Sequence, residues 1–172
     1  MRDIVIEKRA SQVLNNFSIK QPPILLDKIL AVYNITLGEA PSDEYSGFLI
    51  RKNGSALIGI NSNDTFARQR FTIAHELAHF LLEKTKDTFV DEHSKINHRS
   101  YSHENGKERN EVMADKFAAS LLMPRNFLKR DFMRIEIKGI FQENDLEYLA
   151  EKYVVSKEAM KYRLVNLGLI KL

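Results

Sequence analysis

At 172 residues the chain is long enough to bury one real core, and 44% hydrophobic with 28% charged residues is ordinary for a globular domain with a small appendage. The absence of cysteine excludes a disulfide scaffold and a thiolate metal site, and fits a reducing cytoplasm. MRDIVIEKRA lacks a signal peptide's apolar run, and no stretch approaches the roughly 18 apolar residues of a membrane span. A net charge of +3 permits contact with nucleic acid without arguing for it.

Val5 or Ile6, Ala10, Val13, Leu14 and Phe17 follow a helical spacing, which predicts a helix over residues 3–17. Gln21-Pro22-Pro23 breaks it, and a second helix is expected over 24–33 on Ile24, Leu25, Ile29, Leu30 and Val32. The period then changes. Residues 35–37, 47–51 and 55–60 read as strands, the last two joined by Lys52-Asn53-Gly54. Asn-Gly between apolar runs is a hairpin signal because both residues tolerate positive φ. Asn61, Asn63 and Asp64 end the sheet.

Residues 70–83, RFTIAHELAHFLLE, place His75 and His79 four apart, with Glu76 directly after the first. On a helix these histidines stand one turn apart on one face. Both imidazoles can then reach one zinc ion, whose Zn–N bonds are about 2.0–2.1 Å. Glu76 lies about 100° round the helix from His75 and can approach a metal-bound water without being a ligand. The metal lowers the pKa of that water to about 7 and the carboxylate collects its proton, which is metal-assisted hydrolysis. The competing reading is a chance His-Glu-x-x-His on an amphipathic helix. Against it, Phe71, Ala74, Leu77, Ala78, Leu81 and Leu82 form an apolar stripe that buries the helix. Buried histidines and a buried glutamate need partners, and a metal supplies one.

Residues 84–107 combine charge, Ser, Asn and Gly, and read as a long surface loop that returns just before Glu111. It carries His93, His98, Tyr101 and His103, each of which alone reads as a solvated loop residue. Tyr101 or His103 is the choice for donating to the oxyanion that forms when water adds to a peptide carbonyl. Residues 108–124, ERNEVMADKFAASLLMP, supply the second half of the site. A catalytic zinc usually takes three protein ligands, and without cysteine the third must be His, Asp or Glu. Glu111 and Asp115 stand i, i+4 on a helix whose apolar face carries Ala114, Phe117, Ala118, Leu121 and Leu122 and which Pro124 closes. Glu111 can complete a two-His, one-Glu set, and Asp115 can accept the second ring N–H of a liganding histidine. The plain alternative is a solvated helix face beside Lys107, Arg109 and Lys116.

Residues 70–82 (RFTIAHELAHFLL) and 111–124 (EVMADKFAASLLMP) resemble the ImmA/IrrE-type metallopeptidases, bacterial zincin-like proteins often carried on phages and mobile elements. The second run is also similar to the third-ligand helix of gluzincins, where Asn-Glu is followed by an aspartate four residues past the glutamate. Asn110, Glu111 and Asp115 hold those positions. The resemblance implies that His75, His79 and Glu111 are zinc ligands, Glu76 the general base and Asp115 the group that orients His75. It assigns the oxyanion role to neither Tyr101 nor His103. It also implies a substrate class, a partner helix-turn-helix repressor or antitoxin-like regulator whose cleavage derepresses its genes. In zincins generally a sheet edge runs beside the metal helix and the substrate adds to it as a strand. The strand over 55–61, with little bulk at Ser55, Ala56 and Gly59, is therefore expected to hold the substrate backbone, against the alternative of a simple core or edge strand.

After Pro124, Arg125, Lys129, Arg130 and Arg134 interleave with Phe127, Leu128, Phe132 and Met133, an amphipathic helix with a solvated basic side. A nucleic-acid face is the minor reading there. Further on, Leu146, Leu149, Ala150 and Tyr153 mark one helix, and Ser156 caps a second with Ala159, Met160, Leu164 and Leu167 inward. Two short helices across a Val-Val-Ser corner resemble a helix-turn-helix, with Lys157, Lys161, Tyr162 and Arg163 expected outward. The lysines suit phosphates, but no Asn, Gln or Arg cluster serves base edges, so docking or scaffold is favoured over DNA.

Taken together, an α+β fold is expected. A zincin-like core, with a small antiparallel or mixed sheet packed on helices, would cover residues 1–138, and a helix-turn-helix-like extension 139–172. The expected function is a cytoplasmic zinc-dependent endopeptidase with no membrane contact. The alternative is a zinc-containing regulator or toxin component that binds a helix-turn-helix partner or DNA without proteolysis.

Overall fold

The computed structural model describes residues 3–52, 54–82, 90–91, 105–137 and 139–171, with backbone alone at 90–91 and 105–108. Among them the chain order is α1 (Asp3–Asn16), α2 (Leu26–Val32), β1 (Ile35–Ala40), β2 (Gly47–Lys52), β3 (Ser55–Asn61), α3 (Phe66–Leu82), β4 (Val90–Asp91), α4 (Asn105–Leu122), α5 (Arg125–Glu136), α6 (Glu143–Tyr153) and α7 (Lys157–Asn166). The chain forms two compact units, Leu25–Ala118 and Met1–Ile24 with Ala119–Leu172. The α+β class with a mixed sheet is as expected.

In the unit Leu25–Ala118 the hairpin pairs Lys52 with Ser55, and Gly54 takes φ +79°, a conformation that glycine adopts without a Cβ penalty. The sheet order is β1-β3-β2-β4, with β1 parallel to β3 and β2 antiparallel to both β3 and β4. Alternation gives the sheet its inner face. Leu49, Ala56, Ile58 and Ile60 are buried, while Phe48, Ile50 and Leu57 on the other face are half-buried. Helix α3 lies against β2 and β3. Gly47 allows the close approach, since a Cβ there would sit 2.3 Å from Thr72 Cγ2 and 2.8 Å from the Gly59 carbonyl oxygen.

One expectation fails here. The strand Ser55–Asn61 cannot receive a substrate backbone as an added strand, because β1 occupies one of its edges and β2 the other. The parallel partner is longer than its apolar run suggested. It extends to Ala40 and pairs along β3 as far as Asn61.

The other unit is helical. Ile6, Ala10, Val13 and Leu14 form the buried stripe of α1, and Leu146, Leu149, Ala150 and Tyr153 that of α6. Ser156 caps α7 by accepting from the Ala159 N–H at 3.1 Å, as its position predicts. Val154 turns the corner between α6 and α7 at φ 53°, a left-handed conformation costly for a β-branched residue. Buried Asp131 accepts from the Tyr153 hydroxyl at 2.8 Å and pairs with Lys152 Nζ at 2.9 Å, tying α5 to α6. The Tyr153 phenol is consequently pushed above its ordinary pKa, by burial first and then by Asp131.

Arg163 is a second correction, since it points inward. Its Nε donates to the Met123 carbonyl at 3.0 Å and its Nη1 lies 2.7 Å from Glu7 Oε1. The helical period explains this, because 163 falls between Met160 and Leu164 on the buried stripe. Among the described residues no helix is long and apolar enough to cross a membrane.

Gly47→Ala should lower the urea midpoint, a loss of about 1–3 kcal/mol from overpacking against backbone and Thr72. Gly38→Ala, whose nearest contact would be Leu57 Cδ1 at an ordinary 3.5 Å, should leave the midpoint unchanged or raise it.

Candidate metal centre

Helix α3 is held on more than one side. Thr72, Ile73, Ala74, Leu77 and Ala78 are buried, and Phe71, Phe80, Leu81 and Leu82 are half-buried. A helix so enclosed cannot rotate without exposing apolar surface, which fixes the direction of its polar side chains. Glu76 and His79 are each only 2% exposed, while the His75 side chain keeps 13%. Helix α4 supplies the facing groups. Ala114, Phe117 and Ala118 are buried, which turns Glu111 and Asp115 together to the other side, one turn apart.

The two helices bring three donor groups to one point. His75 Nε2 and His79 Nε2 stand 3.0 Å apart, Glu111 Oε2 is 3.1 Å from the first, and Glu111 Oε1 is 3.3 Å from the second. Ligands at about 2.0–2.1 Å from a tetrahedral zinc lie about 3.3 Å from one another, so this triangle has the dimensions of one face of such a site. Nitrogen, nitrogen and carboxylate oxygen also form a donor set suited to zinc. The residues fit a divalent ion. Asp115 Oδ1 accepts from His75 Nδ1 at 2.9 Å. A carboxylate accepts only, so that contact puts the proton on Nδ1 of the neutral ring and leaves the Nε2 lone pair facing the cluster.

The electrostatics follow from this crowding. Burial works against a charge on His75, but hydrogen bonds to Asp115 and Glu111 outweigh it and push its pKa up to about 10. Burial likewise opposes ionisation of Glu111, yet hydrogen bonds from His75 and His79 bring it down to about 2. Without a cation, the cluster holds its carboxylate charged by keeping a proton on the imidazoles. A divalent ion held by His75, His79 and Glu111 would take the place of that proton.

The Tyr101 and His103 choice for the oxyanion lies outside the described residues, as do His93 and His98. One contact escaped sequence reasoning. Arg51, on β2, donates from Nη2 to the His79 carbonyl at 2.6 Å. A basic residue near the end of a hairpin strand reads as solvated, and no local spacing links positions 51 and 79.

Two outcomes are expected. His75 is protonated in the metal-free site at every pH below its value of about 10, so zinc affinity should rise about tenfold per pH unit between about 6.5 and 9, with release of one proton. Competition with a chromophoric chelator across that range measures it, and a flat profile would contradict the coupling. Asp115→Ala should weaken zinc binding about 10–100-fold in the same assay while leaving one zinc per chain at saturation.

No curated protein matches the chain. The profile of the Peptidase M78 family, described as the IrrE N-terminal-like domain, matches residues 31–165, a span that holds both helices of the centre and the whole sheet. With most of its length inside that match, the chain belongs to the Peptidase M78 family.

Proposed function

We propose that the chain is a zinc-dependent endopeptidase of the bacterial cytoplasm. Its proposed substrate is a partner protein, a helix-turn-helix repressor or antitoxin-like regulator of a phage or mobile element. The observation that carries the reading is the convergence of His75, His79 and Glu111 on one point, with a further carboxylate, Glu76, buried on the same helix. A closed structural site has no use for that fourth group. A base beside the ligands is what hydrolysis adds.

When bound, a divalent ion of this kind supplies Lewis-acid polarisation of a carbonyl and lowers the pKa of water. The chain's own residues do the rest. His75, His79 and Glu111 hold the ion, and Asp115 keeps the His75 ring in one orientation. Glu76 takes the proton from the attacking water and passes it to the departing amine. Its burial keeps bulk water from competing for that proton.

The C-terminal helices favour a docking or scaffold role over DNA. Lys157 is paired with Glu143 at 2.5 Å and Glu147 at 2.7 Å, and Arg163 is buried. Of the four residues expected outward, Lys161 and Tyr162 are exposed. A phosphate would have to compete with two carboxylates for Lys157, whose pKa they raise.

Co-expression with a helix-turn-helix repressor from the same genome, comparing wild type with Glu76→Gln, tests the proposal. The variant should keep one zinc per chain and lose at least about 100-fold in cleavage rate, the usual worth of a positioned base. Cleavage that survives in Glu76→Gln removes the assigned base. Wild type that binds the repressor and leaves it intact selects the regulator reading instead.

A further inference from the structure

We infer that Arg51 is a positioning residue for the metal centre, acting on the ligand His79 through its main chain. The inference rests on the metal-binding reading above and adds an element, β2, to the parts that hold the ion.

Arg51 sits near the end of β2, in register with Ala56 on the sheet face that carries Gly47 and Leu49. Its Nη2 donates to the His79 carbonyl at 2.6 Å, and its Cζ stands 5.5 Å from the centroid of the Phe80 ring. Phe80 is held in turn by Tyr33, edge to face, at 6.0 Å. A guanidinium is a planar fork, and the cation–π attraction of the Phe80 ring adds a second contact that restrains it beside α3. Two contacts on consecutive residues, one polar and one aromatic, fix both the rotation and the axial height of α3 at position 79. The positive charge also suits the last turn of a helix, where carbonyl dipoles accumulate.

The other end of β2 is set by Gly47 against Thr72. The strand therefore meets α3 at Thr72 and again, about two turns on, at a ligand. The two imidazoles of one helix are thus steadied from different elements: His75 through its ring by Asp115 of α4, and His79 through its backbone by Arg51 of β2. Donor atoms of a metal site have to be held to within about 0.5 Å, by packing and by hydrogen bonds from neighbouring groups to the ligands.

Cobalt(II) added to the metal-free full chain gives an affinity and a visible absorption spectrum without any need for a substrate. Arg51→Met should bind Co2+ about tenfold more weakly than wild type, the lower end of what outer contacts to ligands are worth, with an altered spectrum. Arg51→Lys, which keeps one donor and the charge, should recover part of the loss. Leu57→Ala, on the opposite face of the sheet, should lower Tm and leave the Co2+ constant in place. Equal affinity in Arg51→Met and wild type overturns the inference, and so does a Leu57→Ala loss of affinity as large as that of Arg51→Met. Should Arg51→Met fail to fold, Arg51→Lys and Arg51→Gln carry the test, and wild-type Co2+ affinity in both overturns it. A wild-type chain that takes up no Co2+ sinks the metal reading together with this one. A chain that binds Co2+ in a way that depends on His75 but not on Arg51 sinks this one alone.

Discussion

The centre depends on His75 being gripped from both sides by α4. Asp115 meets one ring nitrogen at 2.9 Å and Glu111 the other at 3.1 Å. One imidazole bridging two carboxylates a helical turn apart registers the two helices against each other, because sliding either by a residue breaks both contacts. His79 stands one turn on from His75, and Arg51 of β2 holds its carbonyl. The apolar sides of both helices make this registration stable, since Ala74, Leu77 and Ala78 on one and Ala114, Phe117 and Ala118 on the other are sealed from water. The polar cluster alone would not suffice, because burying those charges costs more than their mutual attraction returns unless each is paired.

Exposure is graded across the cluster. Glu76 and His79 are almost wholly enclosed, His75 is slightly open, Glu111 more so, and the Asp115 side chain is 59% exposed. Among the described residues, the more exposed members of the cluster are those of α4. Glu76, the proposed base, sits at the closed end, where its charge is least screened, and Asp115, hydrogen-bonded to the His75 ring, sits at the open end.

Much of this was legible in the sequence because it is local. The His75-Glu76-x-x-His79 spacing, the Glu111–Asp115 pair, the hairpin turn and the Ser156 cap each depend on residues within a few positions of one another, where helix and turn geometry leave few choices. What was not legible depends on pairing at a distance. The length of β1 was underestimated because Gly38, Glu39 and Ala40 carry little strand signal, and only parallel pairing with β3 makes them a strand. That same pairing removed the edge that β3 was expected to offer. Arg51 joins His79 across 28 positions, which no periodicity reports. Arg163 differs, since its place between Met160 and Leu164 marked it as inward. Its charge obscured that reading, and Glu7, more than 150 positions away, makes the burial tolerable.

Two glycines of the sheet also constrain how this chain can diverge. The Phe48 ring lies across Gly59, with its atoms 2.3–2.8 Å from where a Cβ would stand, and Gly47 leaves no room before Thr72. Positions 48 and 59 are therefore coupled: a side chain at 59 requires a smaller one at 48, so in related chains the two should change together or stay as they are. Position 47 has no such exchange open to it, because backbone closes one side of the gap. In descendants of this sequence its glycine should outlast many of the apolar residues around α3.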